Sequence, residues 1–282
     1  MSIKLIATDM DGTFLREDKT YDHARFHRIR QVLKEMGIQF VIASGNSYHQ
    51  LKLQFSDEDM AGLYFVGDNG NYIVHDGDVI RNSGVPREEF LDVMDYLGQF
   101  SDRLDAYIST GARSYVTSHD ETFNKIARVY NGILVILDDF REIPQGERAS
   151  KIAIITKDEL DPDNPLIDDL RTRFPDLQSM TSGNIFIDII PAGSGKGSGI
   201  KLLQQQLRIT PAETMVFGDQ MNDASMMEVS DFSVAMANSI EPLLPYANYQ
   251  IGTNEEQGVL DVLEMVIDDP SGKSLAPFVM NH

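Results

Sequence analysis

Four short polar clusters carry the side chains that could do chemistry. The first is Asp9-Met10-Asp11-Gly12-Thr13, and the last is Gly218-Asp219-Gln220-Met221-Asn222-Asp223. Between them lie Ser44-Gly45-Asn46 and the run Ala192-Gly193-Ser194-Gly195-Lys196-Gly197-Ser198-Gly199. Asp9 and Asp11, one residue apart, can face a common crevice if the backbone bends, and Gly12 permits a bend. One carboxylate can then attack phosphorus while the other exchanges a proton with the departing oxygen. A solvated Asp-Gly turn is the bland alternative. Asp219 and Asp223 form a second acidic pair near the other end of the chain. Carboxylates gathered in one crevice repel each other unless a cation neutralises them, and all-oxygen ligands suit Mg2+. The alternative for this pair is Asp219 as a helix N-cap with Asp223 in the first helical turn.

Lys196 invites comparison with a P-loop. That motif fails, because Ile190 occupies the position of its first glycine and Gly197 follows the lysine. What remains is a lysine at a helix start, placed to hold a phosphate oxygen, or else an incidental lysine in a flexible linker. Ser44 with Gly45 behind it offers a hydroxyl and N–H groups to an anion. It does not read as a nucleophile, since no Gly-x-Ser-x-Gly elbow surrounds it and no histidine is marked as its base. The six histidines show no metal-ligand spacing.

The elements that must position these clusters follow from the apolar pattern. Ile3, Leu5 and Ile6 read as a strand, the stripe Phe26, Ile29, Val32, Leu33 and Met36 as a helix closed by Gly37, and Gln39–Ala43 as a buried strand. That is a βαβ unit. A hairpin follows at 72–80, turning at Asp76-Gly77. From about Gly84 helices near 86–99, 119–130 and 164–174 mix with strands near 104–108, 113–117, 133–137, 151–156 and 185–190. After Pro191 the alternation resumes: a helix at 196–207, strands at 214–217, 232–235 and 249–251, and helices at 222–229, 239–246 and 256–267. The expected fold is α/β, a Rossmann-like parallel-sheet core (1–83 plus 190–282) with an inserted α+β cap (84–189). The tail beyond Asp269 is expected to matter little to the fold. In an open parallel sheet the carboxyl ends of the strands face one crevice, so clusters distant in sequence converge there.

With 282 residues and 42% apolar content the chain can bury a sizeable core. Lys and Arg total 24 against 44 Asp and Glu, a net charge of −20. Such a surface repels nucleic acid and anionic lipid, so neither is an expected partner. It repels a phosphorylated metabolite too, so a phosphate site must supply local positive charge. No cysteine is present, which excludes disulfides and thiolate metal sites. The opening apolar run is too short for a signal peptide, and the expected location is the cytoplasm.

In their order and spacing the four clusters resemble the haloacid dehalogenase superfamily, and the insertion resembles the caps of its Cof-type sugar phosphatases. Thr8 through Leu15, Ala43 through Asn46, Thr181-Ser182-Gly183 and Gly218 through Asp223 carry the resemblance. It implies a magnesium-dependent phosphatase of small phosphate monoesters, most naturally sugar phosphates, working through an aspartyl-phosphate. Asp9 would be nucleophile and metal ligand, Asp11 the acid/base with its carbonyl on the metal, and Asp219 a further ligand. Ser44, Gly45, Lys196 and Asn222 would bind the phosphoryl group, with Asp223 supporting the metal. Thr181, Ser182, Asn184 and Asp188 are candidate readers of the leaving group. Much of the superfamily has Thr-Gly-Arg where this chain has Ser44-Gly45-Asn46. Nucleotides or phosphorylated cofactors such as pyridoxal phosphate and FMN as substrates, a phosphotransferase or phosphomutase, and a receiver-like switch stay open as alternatives.

Overall fold

The computed structural model describes residues 2–157, 165–181 and 185–280. The chain runs β1 (Leu5–Thr8), α1 (His23–Glu35), β2 (Gln39–Ala43), the short helices α2 (Tyr48–Lys52) and α3 (Asp57–Met60), β3 (Leu63–Gly67), and a hairpin of β4 (Tyr72–His75) and β5 (Asp78–Asn82). It leaves for a second sheet through α4 (Arg87–Leu97), β6 (Leu104–Ser109), β7 (Ser114–Val116), α5 (Glu121–Asn131), β8 (Leu134–Ile136), β9 (Lys151–Thr156), α6 (Pro165–Arg173), β10 (Leu177–Thr181) and β11 (Phe186–Pro191). It returns with α7 (Lys196–Leu207), β12 (Thr214–Gly218), α8 (Ala224–Met227), β13 (Phe232–Met236), β14 (Tyr249–Ile251) and α9 (Gly258–Asp268).

The first sheet has the order β14-β13-β12-β1-β2-β3-β4-β5 and is parallel from β14 through β3. Its strands are continuous apolar runs because helices cover both faces. Ile6, Phe40 and Ile42 point to the side of α1 and α9, while Leu5, Ala7, Val41 and Ala43 point to the side of α7 and α8. Helix α1 forms where the sequence predicts it. Asp22 caps it by accepting from Arg25 N at 2.9 Å, Phe26, Ile29 and Leu33 turn inward, and Gly37 takes φ +73° just past its end. This is the doubly wound α/β architecture. The second sheet, of order β10-β11-β9-β6-β7-β8, is antiparallel except at β7–β8, and with its helices it forms a separate core, referred to as the cap.

Three local expectations change. Residues 241–246 form a 3-10 stretch instead of an α-helix, because Pro242 and Pro245 withhold donors that α-helical bonding needs. The stretch expected as one helix over 222–229 divides into a 3-10 turn, Met221–Asp223, and α8. The tail past Asp269 is part of the fold. Leu275 is fully buried, Ile3 N donates to Pro270 O, Val279 bridges Tyr249, and Met280 N donates to Asn248 O. Apolar Leu275 and an open sheet edge at β14 give the segment a reason to dock.

Candidate active site

Strand order decides which residues meet. From β1 the chain builds outward through β2 and β3, and on the other side it builds through β12, β13 and β14, so the order reverses between β1 and β12. Thr8 lies opposite Phe217, and the next residue, Asp9, donates its N–H to Phe217 O at 3.0 Å. Asp9 and Asp219 therefore leave adjacent strands side by side. Carboxylate oxygens of Asp9, Asp219 and Asp223 lie within 4.8 Å of one another, all three residues buried. The loop after Asp9 is anchored by its apolar members. Met10 is buried, and the Phe14 ring packs 4.9 Å from Tyr21 and 5.1 Å from Phe26. Gly12, at φ +79°, passes so close to Asp219 that an added Cβ would fall 2.4 Å from its Oδ2. Thr13 donates to Asp219 Oδ1 at 2.8 Å, and Asn238 holds the Gly12 carbonyl at 2.8 Å.

Lys196, at the start of α7, is fully buried and donates to Asp9 Oδ1 at 2.7 Å and to Asp223 Oδ1 at 2.6 Å. Asp223 spends its other oxygen on the N–H groups of Asp219 (2.9 Å) and Gln220 (3.0 Å), so it stands behind the pair and braces it. Burial pushes the Asp9 carboxyl well above the usual range; Lys196 opposes this, and Asp223 and Asp219 add to it. Burial, then the Asp223 charge, raise Asp219 to about 6. Burial would pull the Lys196 ammonium down, but Asp223 and Asp9 outweigh it and hold it above its ordinary value. Three acids cluster beside one ammonium, and the Asn222 Oδ1 atom, in the same turn as Asp223, is buried without a hydrogen-bond partner. Such an oxygen-rich, under-neutralised set suits a small hard divalent cation, so these residues fit Mg2+.

Asp11 faces elsewhere. Its carboxylate is 41% exposed, takes Asn46 Nδ2 at 2.9 Å on Oδ2 and Lys19 Nζ at 2.6 Å on Oδ1, and lies outside the carboxylate cluster. Ser44 follows β2, buried, and its hydroxyl oxygen accepts from Asn46 N at 3.1 Å. The arrangement pairs a buried carboxylate bonded to lysine with a second, accessible carboxylate that can exchange protons.

Of the cap candidates, Asp188 reaches the core. It accepts from Asn69 Nδ2 at 3.0 Å and lies 3.5 Å from Lys151 Nζ, which donates to the Gly45 carbonyl at 2.8 Å. Thr181 is exposed at the end of β10. Ser182 and Asn184 lie outside the described residues. Sequence reading passed over Lys19, Asn69 and Lys151. Lys19 sits in a polar loop and Lys151 at the polar start of an apolar strand, so neither bears a local signal. The Asp68-Asn69-Gly70 turn is a detectable one.

Comparison with known proteins agrees with this geometry. A family model described as haloacid dehalogenase-like hydrolase matches residues 6–263. The 5-amino-6-(5-phospho-D-ribitylamino)uracil phosphatase of Escherichia coli (strain K12) is 36% identical over 281 residues, covering 99% of both chains. A Bacillus subtilis (strain 168) phosphatase of the same description is 28% identical over 270 residues, covering 92% of this chain and 96% of that one. The crystal structure of a Streptococcus mutans UA159 protein superposes with TM-score 0.86 at 32% identity, covering 95% of this chain and all of the other. With its model matched from β1 into α9, the chain belongs to the haloacid dehalogenase-like hydrolase family.

Proposed function

We propose that this hydrolase is a magnesium-dependent phosphatase of polyhydroxylated phosphate monoesters, sugar or polyol phosphates, with 5-amino-6-(5-phospho-D-ribitylamino)uracil the first compound to try. The carrying observation is the junction of Asp9, Asp219 and Lys196 at the reversal point of the sheet, with Asp11 kept apart from it. The ribityl phosphate class comes from the two relatives named above, and it matches the sugar-like leaving group that the sequence resemblance implies.

Asp9 attacks phosphorus, and the bond from phosphorus to the leaving oxygen breaks with its electron pair going to that oxygen. Asp11 supplies the proton, and an aspartyl-phosphate remains on Asp9. Asp11 then takes a proton from water, whose oxygen displaces the Asp9 carboxylate and releases inorganic phosphate. Lys196 favours the ionised form of Asp9 against the burial that opposes it and offsets charge on the transferring group, while Ser44, the Gly45 loop and Asn222 hold its oxygens. Magnesium, held by Asp9, Asp219 and the Asp11 carbonyl, would add positive charge against the phosphoryl oxygens. The test is phosphate release from the ribitylamino-uracil phosphate, sugar phosphates, nucleotides, pyridoxal phosphate and para-nitrophenyl phosphate, with and without Mg2+. No release from any of them overturns the reading. Release from nucleotides or pyridoxal phosphate alone would move the substrate class.

A further inference from the structure

The Ser44–Asn46 loop is gripped from two sides. From the core, Asn69 N donates to Ser44 O at 3.1 Å, and the Asn69 side chain lies so near that a Cβ on Gly45 would come 3.2 Å from its Oδ1. Asn69 adopts φ +53° and its neighbour Asp68 φ +47°, left-handed conformations that point both side chains at the cap. From the cap, Lys151 at the head of β9 is 5% exposed and sets its ammonium on the Gly45 carbonyl. Asp188, on the neighbouring strand β11, faces both Lys151 and Asn69. Beside them Asp68 accepts from Ser109 Oγ at 2.9 Å and Ser150 Oγ at 2.6 Å, a second cap-to-core tie.

The peptide between Gly45 and Asn46 is thus fixed at both ends: its carbonyl by Lys151, and its N–H by the Ser44 hydroxyl. An ammonium on a carbonyl is a charge-assisted bond, stronger than the neutral bonds around it, so it sets the plane of that peptide. Asn46, the next residue, carries the amide that holds Asp11. We propose that Lys151 is a positioning residue: it orients the Ser44–Asn46 loop and, through Asn46, the Asp11 carboxylate, so that the phosphate-holding and proton-donating groups align only with the cap seated. This rests on the phosphatase reading above and adds to it a cap residue that acts on the chemistry without touching the leaving group.

Lys151→Met alone strands the buried Asp188 charge and can destabilise the fold, so the decisive protein is the double variant Lys151→Met with Asp188→Asn. Backbone amide exchange is measured at residues 44–46, with β12 as internal reference. The expected result is a rise of about tenfold or more at 44–46 and none in β12. In parallel, kcat/KM is measured on para-nitrophenyl phosphate and on an alkyl phosphate such as ribitol 5-phosphate. An alkoxide needs protonation as it leaves and nitrophenolate does not, so misplacing Asp11 should lower the alkyl ester's kcat/KM roughly tenfold more than the aryl ester's. Equal losses on both esters, or wild-type values in the double variant, would show that Lys151 only neutralises Asp188 and would overturn the proposal. If wild-type protein cleaves neither ester, the phosphatase reading has failed, and unchanged exchange at 44–46 would separately remove the loop-holding role.

Discussion

At the ends of β1 and β12 three buried carboxylates, Asp9, Asp219 and Asp223, cluster beside the single ammonium of Lys196, which bonds Asp9 and Asp223. At the seam with the cap the buried Asp188 pairs with Lys151, and the buried Asp68 lies within the field of the same ammonium. In the second set neutral donors bond the carboxylates, the hydroxyls of Ser109 and Ser150 on Asp68 Oδ2 and the amide of Asn69 on Asp188, while Asp68 Oδ1 is left without a hydrogen-bond partner. In the first, Asp223 is fully bonded, but Asp9 and Asp219 retain an excess of negative charge that the protein does not cancel. In the first set three carboxylates gather within 4.8 Å of one another, which leaves room for a cation; in the second the bonds run between core and cap and tie the two together. Similar residue types thus concentrate charge in one place and join two sheets in the other.

Replacing Asp9 by Asn probes that contrast most severely. Turnover of para-nitrophenyl phosphate should fall by roughly four orders of magnitude or more while circular dichroism stays native, because the amide cannot serve as the nucleophile. Substantial residual turnover would remove the mechanism. Lys196→Met should lower stability by about 3–5 kcal/mol in urea unfolding at pH 7, since Asp9 and Asp223 are left buried without their cation. A loss under 1 kcal/mol would mean that the cluster is less charged than its geometry implies.

The third probe is pH. Asp9 and Asp219 titrate above the ordinary carboxylate value of 3.8, so the folded protein holds their protons longer than the unfolded chain does. The Asp219 contribution to stability is complete below that value and disappears as pH rises through about 6, on the order of 2–3 kcal/mol, and the Asp9 contribution is lost in the same direction. Chelator-treated protein should therefore lose stability over this interval, and Mg2+ should raise its Tm at pH 7 more than at pH 4. A Tm indifferent to Mg2+ at pH 7 would argue against a cation at the cluster. Lys19→Met should have the mildest consequence, about a threefold fall in kcat/KM, because its pair with Asp11 is exposed. A much greater fall would make Lys19 a working part of the site.

The core half of the site was readable because each acid follows an apolar run, and a parallel sheet brings such strand ends together whatever their distance in sequence. Asp9 and Asp219 meet for that reason alone. The seam was not readable. Lys151 begins Lys-Ile-Ala-Ile-Ile-Thr and looks like the polar start of a strand; only the docking of two sheets puts it on Gly45. Strand β10, Leu-Gln-Ser-Met-Thr, escaped notice because its buried positions are Leu177 and Ser179, too polar for an apolar run. Strand β3 was passed over together with the Asp68-Asn69-Gly70 turn at its end, although the strand completes the parallel sheet and the turn marks it as the other polar clusters mark theirs.

The docked tail has a practical consequence. A terminal strand of a sheet offers unpaired backbone groups on which another chain can build. On the β5 side Asp78 and Arg81 supply charges that discourage such growth, whereas β14 is Tyr249-Gln250-Ile251, uncharged, and is shielded by Val279 and Met280. Cutting the chain after Asp269 would strip that shield and invite self-association, even though every residue of the reaction centre would still be in place.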